Sequence, residues 1–158
     1  MRDCRIQTLN TYSDWLSKAN YEYSLFVKSC SVYDLANCLL TINAIPEWII
    51  ENNHASEALK AIATEKIAIM RAEYQCISLN ENNLHEIDHQ LRLVRTFCNH
   101  AKHGKEKEKI VAISMSAQFP LNFPVKFEYL KVGNKNILIE PILKSLIEFW
   151  SQKITLHQ

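Results

Sequence analysis

Two histidines in the second half of the chain match a spacing known from zinc enzymes. His85 and His89 enclose a glutamate, and on a helix this spacing places two imidazoles one turn apart. Zinc needs all of its ligands within about 2 Å, and His100 lies about 16 Å beyond His89 along a straight helix. Asp88 adds a charge that can pair with Arg92 one turn on. We therefore predict no metal site and interpret this stretch as a solvated helix face.

An arginine and a histidine follow on the same predicted helix. Arg95 and His100 lie close to Gly104, a glycine that suits the left-handed position after a helix end. On an ideal helix their spacing turns the two side chains about 140° apart. They converge only if the helix distorts near Gly104 or if a partner subunit supplies one of the two groups.

This arginine–histidine spacing near the end of a long helix resembles the signature of the HEPN superfamily. Its members are helical-bundle proteins common in bacterial toxin–antitoxin and anti-phage systems, and many are metal-independent ribonucleases. The resemblance covers roughly residues 10–104 and carries over Arg95 and His100 as catalytic residues in a cleft shared by a homodimer. It implies RNA as substrate, no cofactor, and an antitoxin or another protein as partner. Many active members have a polar residue, usually asparagine, after the arginine, where this chain has Thr96.

The chemistry that the resemblance implies needs no metal. A neutral imidazole can take the proton from a ribose 2′-hydroxyl. A guanidinium can hold two oxygens of the crowded phosphorane while negative charge builds on them. The expected product is a 2′,3′-cyclic phosphate.

A second set of polar residues fits ideal helix geometry better than the catalytic pair does. Arg95, Asn99 and His103 recur at four-residue steps on one face, and residues 92–109 form the most basic stretch of the chain. A polar cleft for a phosphate is one interpretation, and a buried polar network or a solvated face is the other. We predict four binding residues here: Arg92, Asn99, Lys102 and His103.

Two classes of function remain open at this point. The first is a HEPN-like ribonuclease that uses Arg95 and His100. The second is a non-catalytic HEPN-like interaction module that binds a protein or a nucleotide, which Thr96 and the angle between the pair favour. Cys98 could be a thiol nucleophile beside His100, but it falls on the apolar side of the helix with Val94, so we interpret it as core.

The composition excludes several large classes of protein. The chain has 158 residues, which predicts a single domain over 1–158. Its net charge is +1, which argues against a strongly basic nucleic-acid or membrane-surface protein. Its two glycines, Gly104 and Gly133, cannot form a dinucleotide-binding turn or a phosphate-cradling loop. Five widely spaced cysteines, no signal peptide and no membrane-spanning run predict a protein of a reducing cytoplasm.

Hydrophobic periodicity predicts the elements that position these residues. We expect an α+β fold, mostly α, in which a four- to five-helix bundle over 10–104 precedes a three-stranded antiparallel meander over 109–140 and a C-terminal helix over 141–156. The first predicted helix of the bundle spans Tyr12–Val27. The second is capped by Ser31 and is broken or kinked at Pro46. The third runs from Ser56 to about Ile77, and the fourth from about Asn82 to Gly104.

Overall fold

The structure, a computed structural model, describes residues 9–71, 81–103, 110–118, 124–132 and 135–158. These ranges contain five α-helices: α1 (Tyr12–Ser29), α2 (Val32–Glu51), α3 (Glu57–Met70), α4 (Ile87–His103) and α5 (Glu140–Leu156). The predicted mostly helical class is therefore confirmed. Within the described ranges, no helix combines the length and the apolar character that crossing a membrane requires.

Three strands lie between α4 and α5 in the described backbone. They are β1 (Ile110–Gln118), β2 (Pro124–Val132) and β3 (Lys135–Leu138), and both neighbouring pairs are antiparallel. In the register, Tyr129 of the central strand β2 lies opposite Ile113 on one side and Leu138 on the other. Leu130, its neighbour, is fully buried, so the central strand contributes to the same core as the helices.

Polar side chains begin the first three helices where their types predict. Thr11 caps α1 in a capping box with Asp14, because each side chain accepts a hydrogen bond from the other residue's backbone N–H. The predicted caps Ser31 and Ser56 are confirmed at the starts of α2 and α3. The Ser56 hydroxyl also donates to the His157 carbonyl at 2.7 Å, which ties the start of α3 to the end of α5.

The second helix is the centre of the bundle. Five of its large side chains are fully buried: Leu35, Leu39, Ile42, Ile45 and Ile49. The helix continues through Pro46 to Glu51, so a break is excluded, and the further helical turn expected after the proline is confirmed. Proline removes one backbone hydrogen bond at a cost of about 3 kcal/mol. Burial of the residues on both sides of Pro46 offsets this cost and keeps the helix continuous.

The structure also changes two predicted helix boundaries. The third helix ends at Met70, well before Ile77, and residues 72–80 lie outside the described ranges. The fourth helix begins at Ile87, after a short 3-10 helix over Glu81–Asn83. Asparagine side chains favour turns over helix interiors, which explains why α4 begins later than the spacing of apolar residues predicts. The predicted stop at Gly104 lies outside the described residues.

A small group of polar side chains, the Lys18 cluster, lies between α1 and α2. It consists of Lys18, Glu22 and Thr41. The Lys18 ammonium donates to Glu22 Oε1 and, at 2.6 Å, to Thr41 Oγ1, while the Thr41 hydroxyl donates to Glu22 Oε2 at 2.5 Å. The three side chains therefore satisfy one another inside the helix interface. The ammonium also lies 5.5 Å from the centre of the Trp15 ring.

Candidate functional site

All three arginines in the described residues gather where the end of α3 meets α2 and α4. We call Arg71, Arg92 and Arg95 the arginine cluster. Arg71 is the residue directly after the last turn of α3. Arg92 Nη1 donates to the carbonyl oxygen of Met70 at 2.7 Å, which holds the end of α3 against α4. The cluster concentrates positive charge in a chain whose net charge is only +1.

A glutamate from α2 lies between two of these arginines. Glu47 Oε1 is 3.7 Å from Arg95 Nη1 and 3.9 Å from Arg71 Nη2. Both distances exceed those of charge-assisted hydrogen bonds, about 2.7–2.9 Å. The three groups are therefore ion-paired without being locked in a bidentate geometry. Glu47 is about half exposed (47%), as is Arg71 (48%), whereas Arg95 is 22% exposed.

Sequence reasoning missed Glu47, although the sequence contains a signal. Between Asp34 and Glu51, Glu47 is the only charged residue in a stretch that is apolar nearly all round. A lone charge on a buried helix usually has a partner, because an unpaired buried charge is costly. The identity of the partners could not be read from this stretch.

The structure places the predicted catalytic pair on one continuous helix. Arg95 and His100 both lie within α4, which is an α-helix from Ile87 to His103. No hydrogen bond or ion pair joins the two side chains in the described part of the chain. Each has one buried nitrogen, Nε of Arg95 and Nδ1 of His100, with no partner among the described residues. Both of these atoms are buried, and on an ideal helix the spacing of the two residues turns their side chains about 140° apart.

The remaining predicted site residues differ in exposure. Asn99 is half-buried and Lys102 is exposed, whereas the side chain of His103 lies outside the described part. Thr96 is only 4% exposed, and its hydroxyl donates to the Arg92 carbonyl of its own helix at 2.9 Å. The hydrogen bond of the Thr96 hydroxyl is therefore made within its own helix. Residues 104–109, which carry three of the six basic residues of the stretch 92–109, are outside the described ranges.

The two histidines with zinc-enzyme spacing do not share a helix face. His85 precedes the first residue of α4 and is 73% exposed, whereas His89 lies inside the helix and is 13% exposed. The expected pair between Asp88 and Arg92 is wrong, because Asp88 instead pairs with Lys66 of α3 at 2.9 Å. The helix begins later than predicted, so His85 lies outside it, although both imidazole Nε2 atoms approach the Glu86 carboxylate, at 3.6 and 4.0 Å. Among the described residues there is no group of three or more possible metal ligands.

Cys98 is part of the core, as predicted. Its thiol donates to the Leu39 carbonyl of α2 at 3.6 Å, and burial raises the pKa of Cys98 to about 12, although Lys102 and Arg95 act to lower it. A thiol with this pKa stays protonated near neutral pH and is a poor nucleophile. Cys98 therefore takes no part in the candidate site.

Comparisons with known proteins find no match. No protein-family model matches the chain, and neither a curated protein nor a solved structure does. A function has to be inferred from the site residues and from the arginine–histidine resemblance.

Proposed function

We propose that the chain is a HEPN-like, metal-independent endoribonuclease that acts as a homodimer in a toxin–antitoxin or anti-phage system. The strands before α5 are then an addition to its helical bundle. The observation that supports this best is the position of Arg95. Its side chain is 22% exposed, and Nη1 lies 3.7 Å from Glu47, beyond hydrogen-bond distance. A partly exposed guanidinium of this kind is suited to binding a phosphoryl oxygen.

The proposed reaction is an internal transfer within RNA. His100 takes the proton of a ribose 2′-hydroxyl, and the 2′-oxygen attacks the adjacent phosphorus. The bond from phosphorus to the 5′-oxygen breaks, and this oxygen takes a proton from an imidazolium or from water. Arg95 stabilises the charge that builds on the non-bridging oxygens. The products are a 2′,3′-cyclic phosphate and a 5′-hydroxyl.

The geometry of α4 favours a site shared between two subunits. Arg95 and His100 are about 140° apart around an ideal helix, and α4 is continuous across both. One arginine and the partner subunit's histidine can meet if two copies place their α4 helices side by side. We therefore place each active site across the dimer, with Arg92, Asn99, Lys102 and His103 binding the flanking phosphates.

Cleavage of RNA by the purified protein tests this proposal. Wild type, Arg95→Ala and His100→Ala are incubated with total RNA in EDTA, and the new ends are analysed by mass spectrometry. We expect cleavage with cyclic phosphate ends, and a loss of at least about 100-fold in both variants. Lys144→Ala, an exposed position on α5, is the matched control and keeps full activity. RNA that stays intact with wild type overturns the proposal.

Mixing the two inactive variants tests the shared site. A heterodimer of Arg95→Ala and His100→Ala subunits contains one site with both native groups if the site spans the dimer. We then expect part of the activity to return on mixing, up to about half per heterodimer. If each site lies within one subunit, the mixture stays inactive, and the shared arrangement is wrong.

A non-catalytic interaction module is the second candidate function. The burial of Thr96 favours it, because this hydroxyl is bonded to its own helix where many active HEPN members present a polar side chain. Such a protein would bind a protein or nucleotide partner through the α4 face and leave RNA intact. The RNA experiment therefore separates the two functions directly.

A further inference from the structure

We propose that Asn43 of α2 is a positioning residue for Arg95, and that its amide oxygen accepts a hydrogen bond from Arg95 Nε. The inference deepens the proposed function and rests on it for the part that Arg95 plays in cleavage. The contact between the two side chains can be tested without RNA.

Asn43 lies on the face of α2 that meets α4. One turn before it, the Leu39 carbonyl accepts a hydrogen bond from the Cys98 thiol of α4 at 3.6 Å. One turn after it, Glu47 Oε1 lies 3.7 Å from Arg95 Nη1. At 100° per residue, Asn43 is midway between Leu39 and Glu47 both around the helix and along its axis. The position of Asn43 is therefore directed at α4, at the level of Cys98 and Arg95.

Arg95 lies on the matching face of α4. On an ideal helix it is about 60° from Cys98, whose thiol contacts α2 directly. Burial raises the pKa of this thiol, and the Arg95 charge is one of two that oppose the shift, which places the guanidinium near the same contact. Packed helices are about 8–10 Å apart, a distance that an arginine and an asparagine side chain span together.

Each of the two side chains has a buried polar atom with no partner in the described part of the chain. These atoms are an acceptor, Asn43 Oδ1, and a donor, Arg95 Nε, and Asn43 is only 4% exposed. The other such atoms of α4 belong to His89, Gln90 and His100, which are at least about 120° away from Arg95 around the helix. Buried polar groups in folded proteins are nearly always hydrogen-bonded. A hydrogen bond between the Asn43 amide and Arg95 Nε satisfies both atoms at once.

A neutral amide is suited to holding a guanidinium that acts on phosphate. A hydrogen bond from Nε fixes the plane of the Arg95 guanidinium and leaves its Nη groups for the non-bridging oxygens of a phosphodiester. The amide does not cancel the positive charge that stabilises the transition state, as a carboxylate at the same place would. Asn43 therefore orients Arg95 without weakening it.

A double-mutant cycle in urea unfolding tests the contact. Asn43→Leu keeps a similar volume without the acceptor, and Arg95→Met keeps a long side chain without Nε. We expect Asn43→Leu to lower the unfolding midpoint of wild type, because Arg95 Nε is then buried without an acceptor, and not to lower that of Arg95→Met. Equal changes in both backgrounds overturn the contact. Asn20→Leu, at an exposed position on α1, is the matched control and should have the same effect in both.

The side-chain N–H signals of a nitrogen–proton NMR spectrum give a second reading. The Arg95 Nε–H signal is the one that Arg95→Met removes. In Asn43→Leu we expect this proton to move upfield, because the loss of a hydrogen bond shields it. The Trp150 indole nitrogen is also buried without a partner among the described residues. A shift of the Trp150 signal with no shift of the Arg95 signal assigns the amide to Trp150 and overturns the inference.

Cleavage of RNA tests the positioning role. We expect Asn43→Leu to lower kcat at least about tenfold, the effect of one hydrogen bond to a charged group, with KM little changed. An unchanged kcat in folded Asn43→Leu overturns this role even if wild type cleaves RNA. Conversely, coupling between Asn43 and Arg95 in a wild type that leaves RNA intact supports the contact and overturns the nuclease.

Discussion

The Lys18 cluster and the arginine cluster both place charged side chains between helices, but they are built in opposite ways. In the Lys18 cluster one ammonium, one carboxylate and one hydroxyl bind one another directly, and Glu22 is buried. In the arginine cluster the carboxylate of Glu47 is half exposed and stays beyond hydrogen-bond distance of both guanidiniums. The first group is closed by its own hydrogen bonds, whereas Glu47 makes only long ion pairs with the guanidiniums of the second.

The difference leads to different expectations for the two clusters. Polar groups between packed helices stabilise the fold when they are hydrogen-bonded to one another. Long ion pairs at a half-exposed position contribute little free energy. The contrast predicts that changes in the Lys18 cluster lower stability more than changes at Glu47 do.

Removing the carboxylate of the closed cluster should have the largest effect on stability. Glu22→Ala leaves the Lys18 ammonium and the Thr41 hydroxyl without their acceptor in the helix interface. Because Lys18 keeps some access to water, we expect a loss of about 2 kcal/mol in the free energy of unfolding, below the range for fully buried pairs. Urea unfolding measures it. Glu51→Ala, on the exposed end of α2, is the control, and equal midpoints for the two variants would contradict the structural role.

Within the arginine cluster, Arg92 should be the member with the largest effect on stability. Arg92→Ala removes the hydrogen bond to the Met70 carbonyl, and we expect it to cost about 1.5 kcal/mol in the free energy of unfolding. Lys102→Ala, at an exposed position on the same helix, should change stability very little. Urea unfolding of both variants makes the comparison. A loss for Arg92→Ala no greater than for Lys102→Ala would show that this contact does not hold α3 against α4.

A buried thiol behind each cluster should make stability depend on alkaline pH. Burial raises the pKa of Cys38 and of Cys98 to about 12 from an ordinary value of 9.0, with Glu22 adding to the shift at Cys38. Between these values the unfolded chain releases the thiol proton and the native chain keeps it. The free energy of unfolding therefore falls as pH rises from about 9 to 12, by up to about 1.4 kcal/mol per pH unit for each thiol.

Unfolding measured from pH 8 to pH 11 tests the thiol contribution. Cys98→Ala should have a smaller decrease in stability per pH unit than wild type, whatever its stability at pH 8. Cys30→Ala, at the half-exposed end of α1, is the control and should keep the wild-type slope. Identical slopes in wild type and Cys98→Ala would mean that the thiol ionises equally in both states.

The smallest effect on stability is expected at Glu47. Its two ion pairs are long and half exposed, so Glu47→Gln should change the free energy of unfolding by less than about 0.5 kcal/mol. Thermal unfolding of Glu47→Gln and of Glu22→Gln, measured under the same conditions, compares the two clusters directly. A loss at Glu47 as large as at Glu22 would assign Glu47 to the fold and remove the reason to treat the two clusters differently.

Hydrophobic spacing predicted the helices well where local patterns decide them. The caps Ser31 and Ser56 and the position of Pro141 in the first turn of α5 follow from side-chain types that satisfy helix ends. The late start of α4 did not follow, and the local pattern left a break or a kink at Pro46 undecided. Packing on both sides of the proline and the turn at Asn82 and Asn83 override the local signal there.

The candidate site was predictable only as one helix face. The sequence identified Arg92 and Arg95 on α4, because helical spacing brings residues of one helix together without reference to any other element. It did not identify Arg71 or Glu47, which come from other helices. It also assigned Asp88 to Arg92, the nearest cation along the helix, whereas the structure pairs it with Lys66 of α3.

The amino-acid sequence by itself determined the helices, their apolar faces and the concentration of polar groups on α4, since these depend on contacts a few residues apart. Only the tertiary structure decided which charges meet. The position of Glu47 between Arg71 and Arg95, and the enclosure of Glu22 with Lys18, depend on how the helices pack. Such pairings join residues far apart in the chain, and packing of the apolar core sets their geometry.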